Sequence, residues 1–454
     1  MGSFEVQGLW WIPESEDHKV PGVLSWSPDG GGTLKLVGQL WPVVLLDNEL
    51  PGGGVQKYRD RTHEHDHSYP VVLGEVEHNS YTLLNAFQTS KRDWSLEQST
   101  ETVHANAVLE GGWFDGPEVE VDRVRFRLRD LADWVDVTGL EMTYPCMDVD
   151  GDGDEFAVVT ARSLPSFRIP TAGPGVSLLH RLGTSTTGNN ASTVEQDWVL
   201  AIDQEQMVPL QTFVEVASDF QDLVSIATGR TSEFTGVVLH HPDLPKRSLA
   251  GTPIGKARED MNYHAQWSNR VDYVAEGVSA REPLSVFRMN FSFGQIGVEG
   301  VGRWLDTAAR FRTELGRAMA TRYSRGAYLE DRIMNVCAAL ESFDKHRGPD
   351  DEIWYVKRIA ACVDLAGDIF TNLIVEDPDA WAKRVRDLRN DLAHHRERFR
   401  LDGSVGGHLI SEQLFWLFVL CILRVAEAPD EVFECIAKHP DWDWLRKKAR
   451  EAQP

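Results

Sequence analysis

Arg386-Asp387-Leu388-Arg389-Asn390-Asp391-Leu392-Ala393-His394-His395 concentrates groups that can break a phosphodiester bond without a metal. An arginine is always charged and offers a fork of donors that grips phosphate, most strongly where negative charge builds in a transition state. An imidazole titrates close to neutrality and can take a proton from a ribose 2′-hydroxyl or return one to the 5′-oxygen leaving group. Arg389 and His394 suit these two roles, and Asn390 suits orienting the phosphate or holding the histidine tautomer. With a 2′-hydroxyl as nucleophile, such chemistry is confined to RNA.

A helix must position these groups. Asp377 followed by Pro378 reads as an N-cap with proline in the first turn, so a helix is expected over Pro378–His395. On a wheel of about 100° per residue, Trp381, Val385, Leu388 and Leu392 fall within roughly a 60° stripe, the core face. Counted from Trp381, Arg389 lies at about 80°, Ala393 at about 120°, Asn390 at about 180° and His394 at about 220°. His395 borders the core stripe and reads as a packing or capping residue, so His394 is the preferred reactive imidazole. Arg389 and His394 stand too far apart around one helix to grip one small group together. A two-fold axis past the small Ala393 would pool two such sets in one cleft, which a homodimer provides.

Arg389-Asn390-Asp391-Leu392-Ala393-His394 resembles the R-N-x-x-x-H signature of HEPN ribonucleases, a helical-bundle family of toxins, antiviral effectors and abortive-infection proteins. The surroundings resemble its ApeA branch, in which a β-rich amino-terminal domain precedes the bundle and an Ala-Leu-Glu-Ser-Phe-like segment, here Ala339–Phe343, comes two helices earlier. The likeness covers roughly residues 300–450; in front of that it is one of architecture and loose pattern. It implies a metal-independent endoribonuclease with no cofactor, a 2′,3′-cyclic phosphate product, transfer RNA as the substrate, and a role in anti-phage abortive infection with a phage-derived trigger. Glu341 would pair with Arg389 and pre-set its fork. Arg384, Arg386 and Arg396 would contact RNA. Asp391 adds a negative charge beside the site.

The rest of the chain fits a carrier for such a site. Its 454 residues require two or three domains. The net charge of −24 repels nucleic acid on average. Two basic islands break it: seven Lys or Arg against three acids over Trp381–Arg400, and five Arg against Glu314 over Arg310–Arg325. The five cysteines form no CxxC pair and read as reduced thiols. No secretory signal is evident in MGSFEVQGLWW, and the apolar run Leu414–Val425 contains Arg424 and is too short for a membrane span. A cytoplasmic protein is expected.

The expected fold is α+β, a large antiparallel β-rich amino-terminal region followed by an all-α bundle. Short alternating runs (Thr33–Leu40, Val119–Leu128, Gln211–Ala217, Leu284–Phe293) predict strands through residue 297, with a possible subdivision near 160–174. From residue 298 to 454 the apolar period turns helical, over Trp304–Tyr323, Tyr328–Lys345, Ile353–Val375, Pro378–His395 and His408–Glu427. The front region would sense a trigger or restrain the enzyme.

Other motifs carry less. Asp148 to Asp154 imitates the start of an EF-hand loop, but Val159 stands where the closing glutamate belongs. His63, His65 and His67 have a spacing that could bind zinc, and equally suit an exposed loop. Trp10, Trp11, Trp26, Trp41, Trp94 and Trp113 invite a sugar-binding reading, but aromatic residues in sheets are usually core. A different class of protein, a non-catalytic dimerising sensor that binds a ligand, stands as the alternative function.

Overall fold

Apolar and polar residues alternate through most of the first 265 residues, and a chain with that period buries one side of each strand. The computed structural model describes residues 2–50, 54–59, 67–95, 98–144, 157–188, 191–248, 252–266, 284–324, 328–348, 353–374, 377–394 and 405–451. The strands begin with β1 (Phe4–Trp11), β2 (Val20–Ser27), β3 (Gly31–Val37), β4 (Leu45–Leu50), β5 (Gly54–Arg59), β6 (Ser68–Val76), β7 (Asn79–Asp93), β8 (Ser99–Glu110) and β9 (Glu120–Leu128). They continue with β10 (Leu140–Thr143), β11 (Val158–Ala161), β12 (Phe167–Ile169), β13 (Gly175–Thr187), β14 (Ala191–Pro209), β15 (Phe234–His240), β16 (Pro245–Arg247), β17 (Pro253–Lys256) and β18 (Asp260–Ala265). The helices are α1 (Leu131–Val135), α2 (Leu210–Thr228), α3 (Phe293–Arg310), α4 (Arg312–Tyr323), α5 (Leu329–Arg347), α6 (Tyr355–Ala366), α7 (Asp368–Ile374), α8 (Pro378–Ala393), α9 (Val405–Val425), α10 (Asp430–Lys438) and α11 (Pro440–Glu451). The fold class is α+β, antiparallel strands first and helices after, as the sequence predicts.

Two compact units form. The first comprises Met1–Phe126, Asp203–Phe213 and Phe234–Trp267. In it, strands β8, β3, β2, β1, β6 and β7 lie side by side in that order, and β7 pairs back onto β8, closing an antiparallel barrel. The length of β8 permits this. One edge runs along β7, while the other pairs with β3 over Thr100–Ala105 and with β18 over Ala107–Glu110. Trp10, Leu24, Trp26, Leu34, Val72 and Val103 fill the interior, so the barrel is a packed core. Gly74 makes room for this: a Cβ there would stand 2.3 Å from the Trp10 ring. Trp10, Trp11, Trp26 and Trp113 are all buried, in agreement with the core reading of the tryptophans, whereas Trp94 is exposed. Buried Glu101 is satisfied by the Tyr69 hydroxyl, by Gln88 Nε2 at 2.7 Å and by the Leu40 N–H at 2.8 Å.

The second unit comprises Arg127–Ile202, Val214–Glu233 and Ser268–Pro454. Its early segments pack rings against the start of α3: Trp134 meets Phe220 and Phe293 edge-on, and Phe167 stacks on Trp198 and tilts against Phe293. α5 is the central helix of the bundle, packing against α4, α6, α8 and α9. α9 is the one helix among the described residues long and apolar enough to cross a membrane, and most of it is buried within the unit as a core helix. Cys337, Cys362 and Cys421 are buried free thiols.

Four expectations need correction. Gln211–Ala217 is not a strand but the start of α2, because Phe213, Ala217, Phe220, Val224 and Ala227 bury at helical spacing over a longer window than the alternation covers. Leu284–Phe293 holds a 3-10 turn at Val286–Arg288 and then the start of α3, whose capping box joins Ser292 and Gln295. The single helix expected over Trp304–Tyr323 breaks at Phe311, between α3 and α4. The helix expected over Ile353–Val375 breaks at Gly367, whose φ of +71° suits glycine.

Candidate active site

α8 starts as its sequence dictates: the Asp377 carboxylate accepts from the Asp379 and Ala380 backbone N–H groups at 2.8 and 3.1 Å, with Pro378 in the first turn. Trp381, Ala382, Val385 and Leu388 are buried, and the Trp381 indole donates to Gln413 Oε1 on α9 at 3.2 Å. Leu392, the last member of the expected stripe, is only partly buried. The core face of α8 therefore points where the wheel put it.

Arg389 lies beside that face and reaches back into the bundle. One guanidinium nitrogen stands 3.0 Å from Glu341 Oε2 on α5. The guanidinium carbon lies 4.8 Å from the centre of the Tyr355 ring at the start of α6. Two neighbouring helices thus fix the fork, while a third of the Arg389 side chain stays open to solvent. The family resemblance implies the pairing of Arg389 with Glu341; nothing implies the ring beneath it, because Ile353 to Val375 reads simply as helix and its pattern does not single out Tyr355.

Behind the guanidinium lies a buried polar pair. The Tyr355 hydroxyl faces the Cys337 thiol yet completes no hydrogen bond of regular geometry. Burial pushes the Cys337 thiol up to about 11, against the lowering influence of Tyr355 and of the nearby Arg389 charge. Burial likewise holds the Tyr355 hydroxyl well above its ordinary range, so both groups stay protonated. They serve as a neutral floor.

Helical geometry ends at Ala393. His394 is the C-cap, with φ −108° and ψ 11°, and its backbone N–H donates to Asn390 O at 3.1 Å. The helix still places its Cα, and the cap dihedrals turn the side chain from there. Ala393 and His394 are exposed and Asn390 is partly exposed; neither Asn390 nor His394 makes a side-chain hydrogen bond among the described residues. Of the expected RNA contacts, Arg384 is exposed, and Arg386 pairs with its neighbour Asp387 at 2.6 Å. Arg396 lies outside the described residues, as do His395, His63, His65 and the Asp148–Asp154 loop. No group of three metal-ligating side chains occurs among the described residues.

The second basic island is less available than its composition suggests. Arg312 is bound to Glu215 and Asp219 at 2.7 Å each, and Arg322 to Glu412 at 2.8 Å. The charge that counting assigned to Arg310–Arg325 is partly spent inside the unit.

Chemically, the end of α8 presents an anchored guanidinium, an amide and an imidazole within six residues. The architecture defines a two-part protein: a unit built on an antiparallel barrel, and a helical unit that carries this polar helix end. The family model described as ApeA N-terminal domain 1 matches residues 5–301. The chain belongs to the ApeA family, which is linked to anti-phage defence. No curated protein and no solved structure matches the chain.

Proposed function

We propose that the chain is a metal-independent endoribonuclease of the HEPN type, acting in the cytoplasm in abortive anti-phage defence. Arg389 binds the scissile phosphate and steadies the charge that builds there. His394 moves the proton between the 2′-hydroxyl and the leaving oxygen, and Asn390 orients the phosphate. Glu341 holds the arginine. Two copies of the α8 end, meeting across the exposed Ala393, assemble one cleft in a homodimer. The amino-terminal region responds to a phage-derived trigger, and transfer RNA, whose anticodon loop offers unstacked nucleotides, is the substrate.

The observation that carries this reading is the state of Arg389: a guanidinium clamped by Glu341 and Tyr355 from two other helices but still open on one side. A solvated surface arginine has no such support, and preorganisation of this kind is what transition-state charge stabilisation requires. The deciding experiment incubates the full chain with bulk transfer RNA in EDTA. Fragments ending in a 2′,3′-cyclic phosphate are expected from wild type and not from Arg389→Ala or His394→Ala. Cleavage that survives both substitutions removes the assignment; light scattering that finds a strict monomer under cleaving conditions removes the composite site.

A further inference from the structure

Far from a featureless surface, the second unit holds a cavity of about 420 Å³ among α2, α4, α9 and α11, within the range of small-ligand sites. None of the residues at the α8 end lines it. Its aromatic wall is Trp416 and Trp444. Trp416 is pinned, edge-on to Trp442 at 5.3 Å and to Phe415 at 6.1 Å. Trp444 at the mouth is 43% exposed, with the His408 ring 6.2 Å away as its aromatic neighbour. A large indole left this open beside a cavity offers a flat face for stacking.

The polar lining selects among flat ligands. Arg322 makes two 2.8 Å hydrogen bonds to Glu412 and lies over the Phe415 ring at 3.7 Å, a fixed and neutralised wall. Although burial acts to raise Glu412, the charge of Arg322 and its hydrogen bonds outweigh it and hold the carboxyl below its usual range. Arg230 and Asp441 add one charge of each sign, so the arginine and carboxylate charges of the lining balance, which disfavours a small multiply charged ion. Buried Asn290 donates to Ile226 O at 2.6 Å, which fixes its own amide oxygen as an acceptor with no partner among the described residues. An uncharged planar ring with its own donors and acceptors satisfies every wall.

We infer that this cavity binds a nucleobase, stacked on Trp444 and hydrogen-bonded at the floor by Asn290, delivered either as a free nucleoside or as one base of an RNA strand. The inference does not rest on the cleavage chemistry assigned to Arg389 and His394, and its test needs no cleavage.

Calorimetric titration of the full chain in EDTA with adenosine, guanosine, cytidine and uridine, each to millimolar concentration, and with short ribotrinucleotides of the same bases carrying 2′-O-methyl groups, measures it. At least one nucleoside is expected to bind. Trp444→Ala is expected to weaken that binding about tenfold, in line with the worth of one base–aromatic stack, and Trp444→Phe to restore most of it. His408→Ala, a second exposed position, should weaken it less. A trinucleotide that binds more tightly than its nucleoside identifies a strand as the source; equal or weaker binding identifies the free nucleoside. Absence of binding by every nucleoside and trinucleotide, or binding that Trp444→Ala and His408→Ala both leave unchanged, overturns the inference.

Discussion

Arg389 on α8 and Glu341 on α5 form an ion pair at 3.0 Å although 48 positions separate them in the chain. Each side chain remains about a third exposed, so the pair contributes little to stability, about 1 kcal/mol or less. Under the proposed endoribonuclease function its value lies in aim. Glu341→Gln, which keeps the shape and loses the charge, is expected to leave the melting temperature within a degree or two of wild type while lowering kcat for RNA cleavage about tenfold. Glu341→Ala should cost about a hundredfold, the scale of a small misplacement of a reacting group. Cleavage kinetics beside a thermal melt check both, and an unchanged kcat in the two variants would release Glu341 from its role.

Tyr355 separates ring from hydroxyl. Its ring supports Arg389, whereas its hydroxyl is buried without a regular hydrogen bond. Tyr355→Phe should therefore keep cleavage within about twofold and leave stability unchanged or raised by about 1 kcal/mol, the cost of an unpaired buried polar group. Tyr355→Leu removes the face under the guanidinium and should lower both activity and stability, by about 1–2 kcal/mol from the lost cation–π contact and imperfect packing. Chemical denaturation of the two variants supplies the comparison.

Asp222 on α2 is buried beside Asp219 and accepts from the Tyr323 hydroxyl. Burial raises its carboxyl well above the ordinary range; the Tyr323 bond opposes this and the Asp219 charge adds to it. A carboxyl raised in the folded state contributes stability that is full below its unfolded value of about 3.9 and lost as pH rises toward its folded value. Asp222→Asn cannot titrate and keeps the acceptor for Tyr323. Its melting temperature should exceed that of wild type at neutral pH, with the gap closing as pH falls toward 4. A gap independent of pH would assign the effect to packing.

Arg312 holds Asp219, whose side chain is 3% exposed, through Nε and a terminal nitrogen. Burial raises the Asp219 carboxyl even with this partner present. Arg312→Met strands that carboxylate and should cost about 3 kcal/mol, the low end for a broken buried pair because Arg312 itself is partly open. Adding Asp219→Asn should recover most of the loss, which a double-mutant cycle in urea measures.

What the sequence shows and what it hides follow the range of the interactions. Local signals were legible: Asp377 and Pro378 begin α8 where they must, and Trp381, Val385 and Leu388 bury as their spacing requires. The barrel closure depends on β8 pairing along both edges, which no local pattern encodes. Gln211–Ala217 shows how a seven-residue alternation misleads when the apolar set continues at helical spacing to Ala227. At the candidate site the sequence pattern runs two residues past the true helix end at Ala393, because an Ala–His terminus carries no glycine to mark it. Tyr355 and the cavity beside Trp444 come from helices meeting in space, so neither left a trace in any single segment.

Residues 127–202 and 214–233 belong to the same compact unit as the helices that follow residue 293. Trp134, Phe167 and Phe220 have no complete packing until Phe293 and α3 arrive. During translation these early segments must wait on the ribosome while the barrel, whose strands are complete by Glu110, can already close. A nascent chain thus finishes its second unit last, and a protein cut short by an early stop would carry neither a closed second unit nor the α8 end.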